Sequence, residues 1–157
     1  CEALQRGAKR VVALEMDSRT VKVCRENLFN TASGLNNNPE IKVIRQDVLS
    51  WLRRVENHKT NLTPKTIESF DVVYFDPPYG SNLYEAVLEG LLKGDYLKRD
   101  SVVVCEYATR DGLETPIPWI EKDRRFYGTS SLLLLSPPED CFFDIDSMQQ
   151  QKDQEWL

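Results

Sequence analysis

Residues Phe70 to Phe75 form a strand-sized run, broken only by Asp71, that meets two consecutive prolines after a single further residue, Asp76. A run this apolar and aromatic reads as a strand covered on both faces. Proline has no backbone N–H and cannot continue a central ladder, so the strand must end at Asp76. The residue before a proline is also confined to extended backbone. The sequence therefore places one acid, in a restricted conformation, at the carboxyl end of a buried strand, followed by Pro77, Pro78, Tyr79 and Gly80.

The rest of the chain supplies a scaffold around that strand. Val11 to Leu14 is a buried strand that runs into Glu15, Met16 and Asp17. From about Ser18, Val21, Cys24, Leu28 and Ala32 recur at helical steps, with Asp17 placed as the helix cap. Gly34 to Pro39 ends that helix, Ile41 to Ile44 is a second strand, and Asp47 follows it ahead of a short helix through Val48, Leu49 and Leu52. Asn82 and Glu85 resemble a capping box for a helix whose face is Leu83, Val87, Leu88 and Leu91. Ser101 to Cys105 is a further strand ending in Glu106. Trp119 to Glu121 and Thr129 to Leu135 pair as a hairpin around Arg124 to Gly128.

Strands alternating with helices predict a three-layer α/β domain with a mostly parallel sheet and a C-terminal antiparallel hairpin, over residues 1–138. Residues 139–157 lose the periodicity and read as a polar, acidic tail. In such sheets ligands gather at the carboxyl ends of strands, where Glu15, Asp47, Asp76 and Glu106 fall. The opening residues Cys1 to Gly7 read as the last turns of a helix, and no GxGxxG occurs. A first strand and its glycine loop are thus expected to be missing from this chain.

Charge and cysteine usage narrow the chemistry. With 25 acids against 20 Lys and Arg, the net charge of -5 does not attract a phosphate backbone overall, so any nucleic-acid contact needs a local patch. Arg124, Arg125, Phe126 and Tyr127 offer charge and aromatic faces for one. They also suit an ordinary hairpin. Lys9, Arg10, Arg53 and Arg54 read as a solvated surface, as does His58. The four cysteines form no CxxC pair and, with one histidine, spell no metal site. They read as reduced thiols, Cys24 and Cys105 in the core, with Trp51 and Trp119 as packing residues.

Asp76 to Tyr79 has a plain reading as a rigid turn and a chemical one. In the chemical one, the Asp76 carboxylate and the Pro77 carbonyl accept the two hydrogens of an exocyclic amine, and Tyr79 stacks on the ring. Such acceptors stabilise the charge that develops as the nitrogen attacks a methyl group, with in-line placement supplying much of the rate. Glu15 can accept both hydroxyls of a ribose, or simply face water. Asp47 can meet an adenine amine, or start a helix.

The ordered segments EALQRGAKRVVALEMD, the strand ending at Asp47, FDVVYFDPPY and RRFYGTSSLLLL together resemble the RsmD-like family of bacterial 16S ribosomal RNA guanine-N2 methyltransferases, over roughly residues 2 to 136. The resemblance implies a Rossmann-like S-adenosylmethionine-dependent methyltransferase fold. It implies a cofactor held by Glu15, Met16, Asp47, Val48 and Asp76, and a target amine surrounded by Asp76, Pro77, Pro78 and Tyr79. Tyr79, Arg124, Arg125 and Tyr127 would face the RNA, with small-subunit ribosomal RNA or an assembling small subunit as partner. No metal, no membrane and a monomer are expected. The compartment is the cytoplasm for a bacterial member, or a chloroplast or other organelle for a eukaryotic one. The family's first strand, glycine loop and basic arm have no counterpart here, so the chain alone is expected to bind S-adenosylmethionine poorly. Two other readings stay open: the same chemistry on adenine N6 or DNA, and a methyltransferase-like RNA-binding or assembly module without activity.

Overall fold

A computed structural model describes residues 1–56, 69–78 and 80–142, without the side chains of residues 54–56. The expectations attached to Tyr79, to His58 to Thr66, to the Arg54 side chain and to residues 143–157 lie outside the described residues. The chain divides into two compact units, Cys1–Arg54 and Val55–Leu157.

The first unit runs α1 (Glu2–Gln5), β1 (Arg10–Glu15), α2 (Ser18–Ser33), β2 (Glu40–Arg45) and α3 (Val48–Glu56). Gly7, just past α1, takes a φ of 93°, the left-handed conformation a side chain resists. Asp17 caps α2 as expected, accepting from the backbone N–H groups of Arg19 at 3.0 Å and Thr20 at 2.9 Å. β1 and β2 pair in parallel from Arg10–Glu40 to Glu15–Arg45. Leu4, Val21, Leu28 and Leu52 are buried. Cys24 and Trp51, expected in the core, are only half-buried, because each lies at the margin of its helix's apolar stripe.

The second unit contains β3 (Phe70–Phe75), α4 (Tyr84–Lys93), β4 (Leu97–Ala108), β5 (Ile120–Tyr127), β6 (Ser130–Ser136) and a 3-10 turn at Glu139–Phe142. Its four strands are ordered β3-β4-β6-β5. β3 and β4 are parallel, while β6 is antiparallel to both β4 and β5. One face is the core. Val103, Cys105, Leu133 and Leu135 are each 0% exposed, beneath Val87, Leu88 and Leu91 of α4. Trp119 is buried too, as expected.

Four details differ from the sequence reading. β4 begins at Leu97 rather than Ser101. Its first turn is polar and its register shifts there, with the Ser101 hydroxyl donating to the Phe70 carbonyl at 2.6 Å. α4 is capped by Leu83 without a side-chain bond, so Asn82 and Glu85 form no capping box. The hairpin turn is Gly128–Thr129, with Gly128 at a φ of 64° suited to a tight two-residue turn. Arg124 and Arg125 therefore lie within β5 rather than in the turn. The segment expected as tail also keeps an ordered turn at its start, Glu139–Phe142.

Arg124 is engaged by the protein itself. Its guanidinium donates to the Tyr107 hydroxyl and the Leu113 carbonyl, each at 2.8 Å, and pairs with Glu121 at 2.7 Å. Thr115 donates to the same Glu121 carboxylate. This brace ties the segment after β4 to the hairpin. It draws the Glu121 carboxyl down to about 2, the Arg124 bond contributing most and Thr115 next.

Two outcomes follow from this packing. Leu133→Ala removes a side chain pinned between β4 and β5 and is expected to cost about 2–5 kcal/mol, read as a lower urea midpoint at unchanged slope; a loss of a few tenths would contradict the packing. The folded state holds Glu121 as an anion where the unfolded chain, with the ordinary value of 4.5, takes up a proton. The brace is thus complete above pH 4.5 and lost as pH falls toward 2. Glu121→Gln should flatten the decline of unfolding midpoints across that window, and an unchanged decline would show that the brace does not set it.

Candidate active site

The acids expected at strand ends fall at strand ends. In the first unit, Glu15 closes β1 and Asp47 follows β2 by two residues. The parallel register Glu15–Arg45 puts both at one edge of that sheet. Glu15 Oε1 accepts the backbone N–H groups of Met16 at 2.7 Å and Asp17 at 2.8 Å. That fixes the carboxylate's orientation and leaves Oε2 as the oxygen a vicinal diol would meet. Asp47 Oδ1 accepts the Ser50 N–H at 2.8 Å, capping α3, and this bond lowers its carboxyl below the ordinary range. Asp47 thus does the structural work foreseen for it while remaining an ionised acceptor. Val48 opens α3, and Met16 is exposed. Two oriented carboxylates at one edge fit the donors of S-adenosylmethionine, a ribose diol and an adenine amine.

In the second unit, Asp76 stands immediately past β3, with Pro77 buried and Pro78 exposed. The next turn is closed by the Ser81 N–H donating to the Pro78 carbonyl at 3.1 Å, around Gly80 at a φ of 74°. The Asp76 carboxyl is raised above its ordinary value, first by burial and then by the negative charge of Glu106. Tyr84, from α4, packs edge-on against Phe75 with centroids 5.6 Å apart, and its hydroxyl donates to the Glu106 carbonyl at 2.8 Å. Burial, followed by Cys105 and Asp76, pushes the Tyr84 phenol up to about 12, so it remains a donor at neutral pH. Burial likewise pushes the Cys105 thiol to about 12, making it inert.

A cavity of about 820 Å³ opens beside this turn. Ser81, Tyr84 and Glu85 form one wall, and Tyr107, Asp111 and Glu114 are on the other. The Leu113 to Thr115 stretch of that far wall is the one braced by Arg124. Among the described residues, carboxylates but no Lys, Arg or His line it, and Arg110 pairs with the lining Asp111 at 3.3 Å. The buried Ser81 hydroxyl oxygen has no hydrogen-bond partner among the described residues. Sequence reasoning did not find this cavity, because its far wall is an irregular segment with no periodicity.

The basic hairpin residues are not brought to Asp76. β5 is separated from β3 by β4 and β6, three spacings of about 4.8 Å each. Arg124 points into its brace, Arg125 pairs with Asp123 at 2.7 Å, and Phe126 and Tyr127 are exposed. Tyr127 and Arg125 remain at the surface of the edge strand. Tyr79 lies outside the described residues.

Comparison with known proteins supplies the kinship. Residues 1–136 match the family model described as Conserved hypothetical protein 95. The ribosomal RNA small subunit methyltransferase D of Haemophilus influenzae is 30% identical over 118 residues, which cover 75% of this chain and 55% of that protein. The chain spans about half the length of the curated relatives it matches. Among solved structures, HI0767 of Haemophilus influenzae, described as a methylase, is 30% identical with a TM-score of 0.67, covering 88% of this chain and 78% of that one. The Escherichia coli protein yhhF, described as a methyltransferase, shares the fold at 20% identity and a TM-score of 0.64, over 86% of this chain and 66% of its own. The α/β arrangement of parallel and antiparallel strands is accordingly a Rossmann-like methyltransferase fold. With most of its length inside one family model, the chain belongs to the Conserved hypothetical protein 95 family, the RsmD family.

Proposed function

We propose that this chain carries the catalytic residues of an S-adenosylmethionine-dependent methyltransferase that modifies the exocyclic N2 amine of a guanine in small-subunit ribosomal RNA. The observation that carries the reading is Asp76. It is an acid at the end of β3, followed by a buried Pro77 whose carbonyl has no N–H beside it, with Glu106 as a near negative charge. Two acceptors on one rigid turn suit an amine that becomes positively charged as it reacts. The family supports the coarser part of this, since relatives bear the name ribosomal RNA small subunit methyltransferase D.

In this reading Glu15, Met16, Asp47 and Val48 hold the cofactor, and Asp76, Pro77, Pro78 and Tyr79 receive the amine. The cofactor supplies, when bound, a methyl group on a sulfonium. The acid-lined cavity supports guanine over adenine: a carboxylate can accept the guanine N1–H, a donor that adenine lacks. Among the described residues no cation lines that cavity, which favours a base over a phosphate there.

The test is methyl transfer from labelled cofactor to under-methylated small-subunit RNA, followed by nuclease digestion and nucleoside mass analysis. N2-methylguanosine is the expected product, and N6-methyladenosine would overturn the guanine assignment. Asp76→Ala should lower turnover roughly 100-fold or more while calorimetry shows cofactor affinity within about twofold of the parent. Unchanged turnover in that variant would remove Asp76 from the chemistry, and absence of cofactor binding by the parent would favour the inactive-module reading.

A further inference from the structure

β3 and β4 run in parallel with Tyr74 beside Val104 and Phe75 beside Cys105. The next step along both chains sets Asp76 beside Glu106. Alternation puts Tyr74 and Glu106 on the face opposite Phe75 and Cys105, and the Tyr74 hydroxyl reaches Glu106 there, donating to its Oε2. From the other face Tyr84 holds the Glu106 backbone carbonyl at 2.8 Å. Glu106 is therefore held twice, through its side chain and through its main chain, next to the acid assigned to the amine.

We infer that Glu106 is a positioning residue of the methyl-transfer site: fixed by Tyr74, it sets a second negative charge beside Asp76, so that the amine's developing positive charge meets a carboxylate pair rather than one acid. The inference rests on the methyltransferase reading for its role in turnover, while the pair itself is a property of the chain without ligand. In the transfer, the nitrogen lone pair forms the N–C bond and the S–C bond breaks with its electrons left on sulfur. The cationic nitrogen then sheds one proton. Asp76, its proton affinity raised first by burial and then by the charge of Glu106, is the acceptor for that proton, and the Tyr74 bond holds Glu106 beside it.

Among the described residues, the other titratable groups around the pair do not replace Glu106. Tyr84 and Cys105 are neutral at working pH. Asp111, past β4, acts on Tyr84 rather than on Asp76. On the same rung, Leu132 of β6 stands between Glu106 and Arg125 of β5, and Arg125 is paired with Asp123.

Carboxyl-carbon NMR titration of the chain, with labelled aspartate and Asp76→Asn used for assignment, tests the pair. Asp76 should titrate above the ordinary 3.8. Glu106→Gln should bring its midpoint down toward that value, because the like charge is gone and only burial remains. Tyr74→Phe should move it the same way by less, because Glu106 loses the donor that holds its carboxylate beside Asp76. Glu89→Gln, on the outer side of α4, should leave it in place. An Asp76 midpoint unmoved by both Glu106→Gln and Tyr74→Phe would overturn the inference. In methyl transfer, Glu106→Gln should lower kcat about tenfold or more, with KM for the cofactor unchanged and the acid limb of the pH profile moved to lower pH. A pair confirmed by titration in a protein of full family length that transfers no methyl group would count against the methyltransferase reading and not against the pair; unaltered kcat and pH limb in Glu106→Gln would count against the role of Glu106.

Discussion

Proline's missing N–H governs the part of this molecule that matters for chemistry. β3 is hydrogen-bonded to β4 as far as Phe75, and Pro77 and Pro78 deny it any further ladder. Asp76 is left where the strand has ended but the backbone is still restrained. A carboxylate on a free loop would need ordering on each encounter with a substrate. Here the ordering is done by folding, and the acceptors of Asp76 and Pro77 sit on proline-restrained backbone just ahead of the turn that Ser81 closes onto Pro78. Pre-organised acceptors of this kind stabilise charge without reorganising at the moment of reaction.

The same economy shows in the way charges are divided. The acids at the carboxyl ends of the strands are left as acceptors, each oriented by its neighbours: Glu15 by two backbone amides, Asp47 by Ser50, Glu106 by Tyr74. Arg110 pairs with Asp111 of the cavity wall, and Arg124 is committed to Glu121, Tyr107 and Leu113. Its work is to hold the far wall in place. Among the described residues the cavity keeps an acidic lining suited to hydrogen-bond donors on a neutral base.

Strand ends and the first helix cap were readable from residues alone because local physics decides them. An apolar run stopped by prolines, and Asp17 ahead of a periodic stretch, have few alternatives. The misreadings share a cause in long-range packing. The polar start of β4 is a strand only because it pairs with Phe70, and Arg124 looks like a surface cation until Tyr107 and Leu113 arrive from another segment. Leu83 rather than Asn82 is the cap of α4, two residues past the turn that Ser81 closes onto Pro78. The partnership of Tyr74 with Glu106 had a trace in the sequence, two residues before Asp76 on an alternating strand. Only the parallel register makes it a contact.

The central claim is that the Asp76 turn recognises an exocyclic amine. Inosine differs from guanosine by the loss of that amine alone. Affinity of the protein, at the full length of its family, for small-subunit RNA carrying guanosine or inosine at the modified position measures the claim directly. The account predicts tighter binding of the guanosine RNA by the parent and no preference in Asp76→Ala. A preference retained in full by that variant would contradict it.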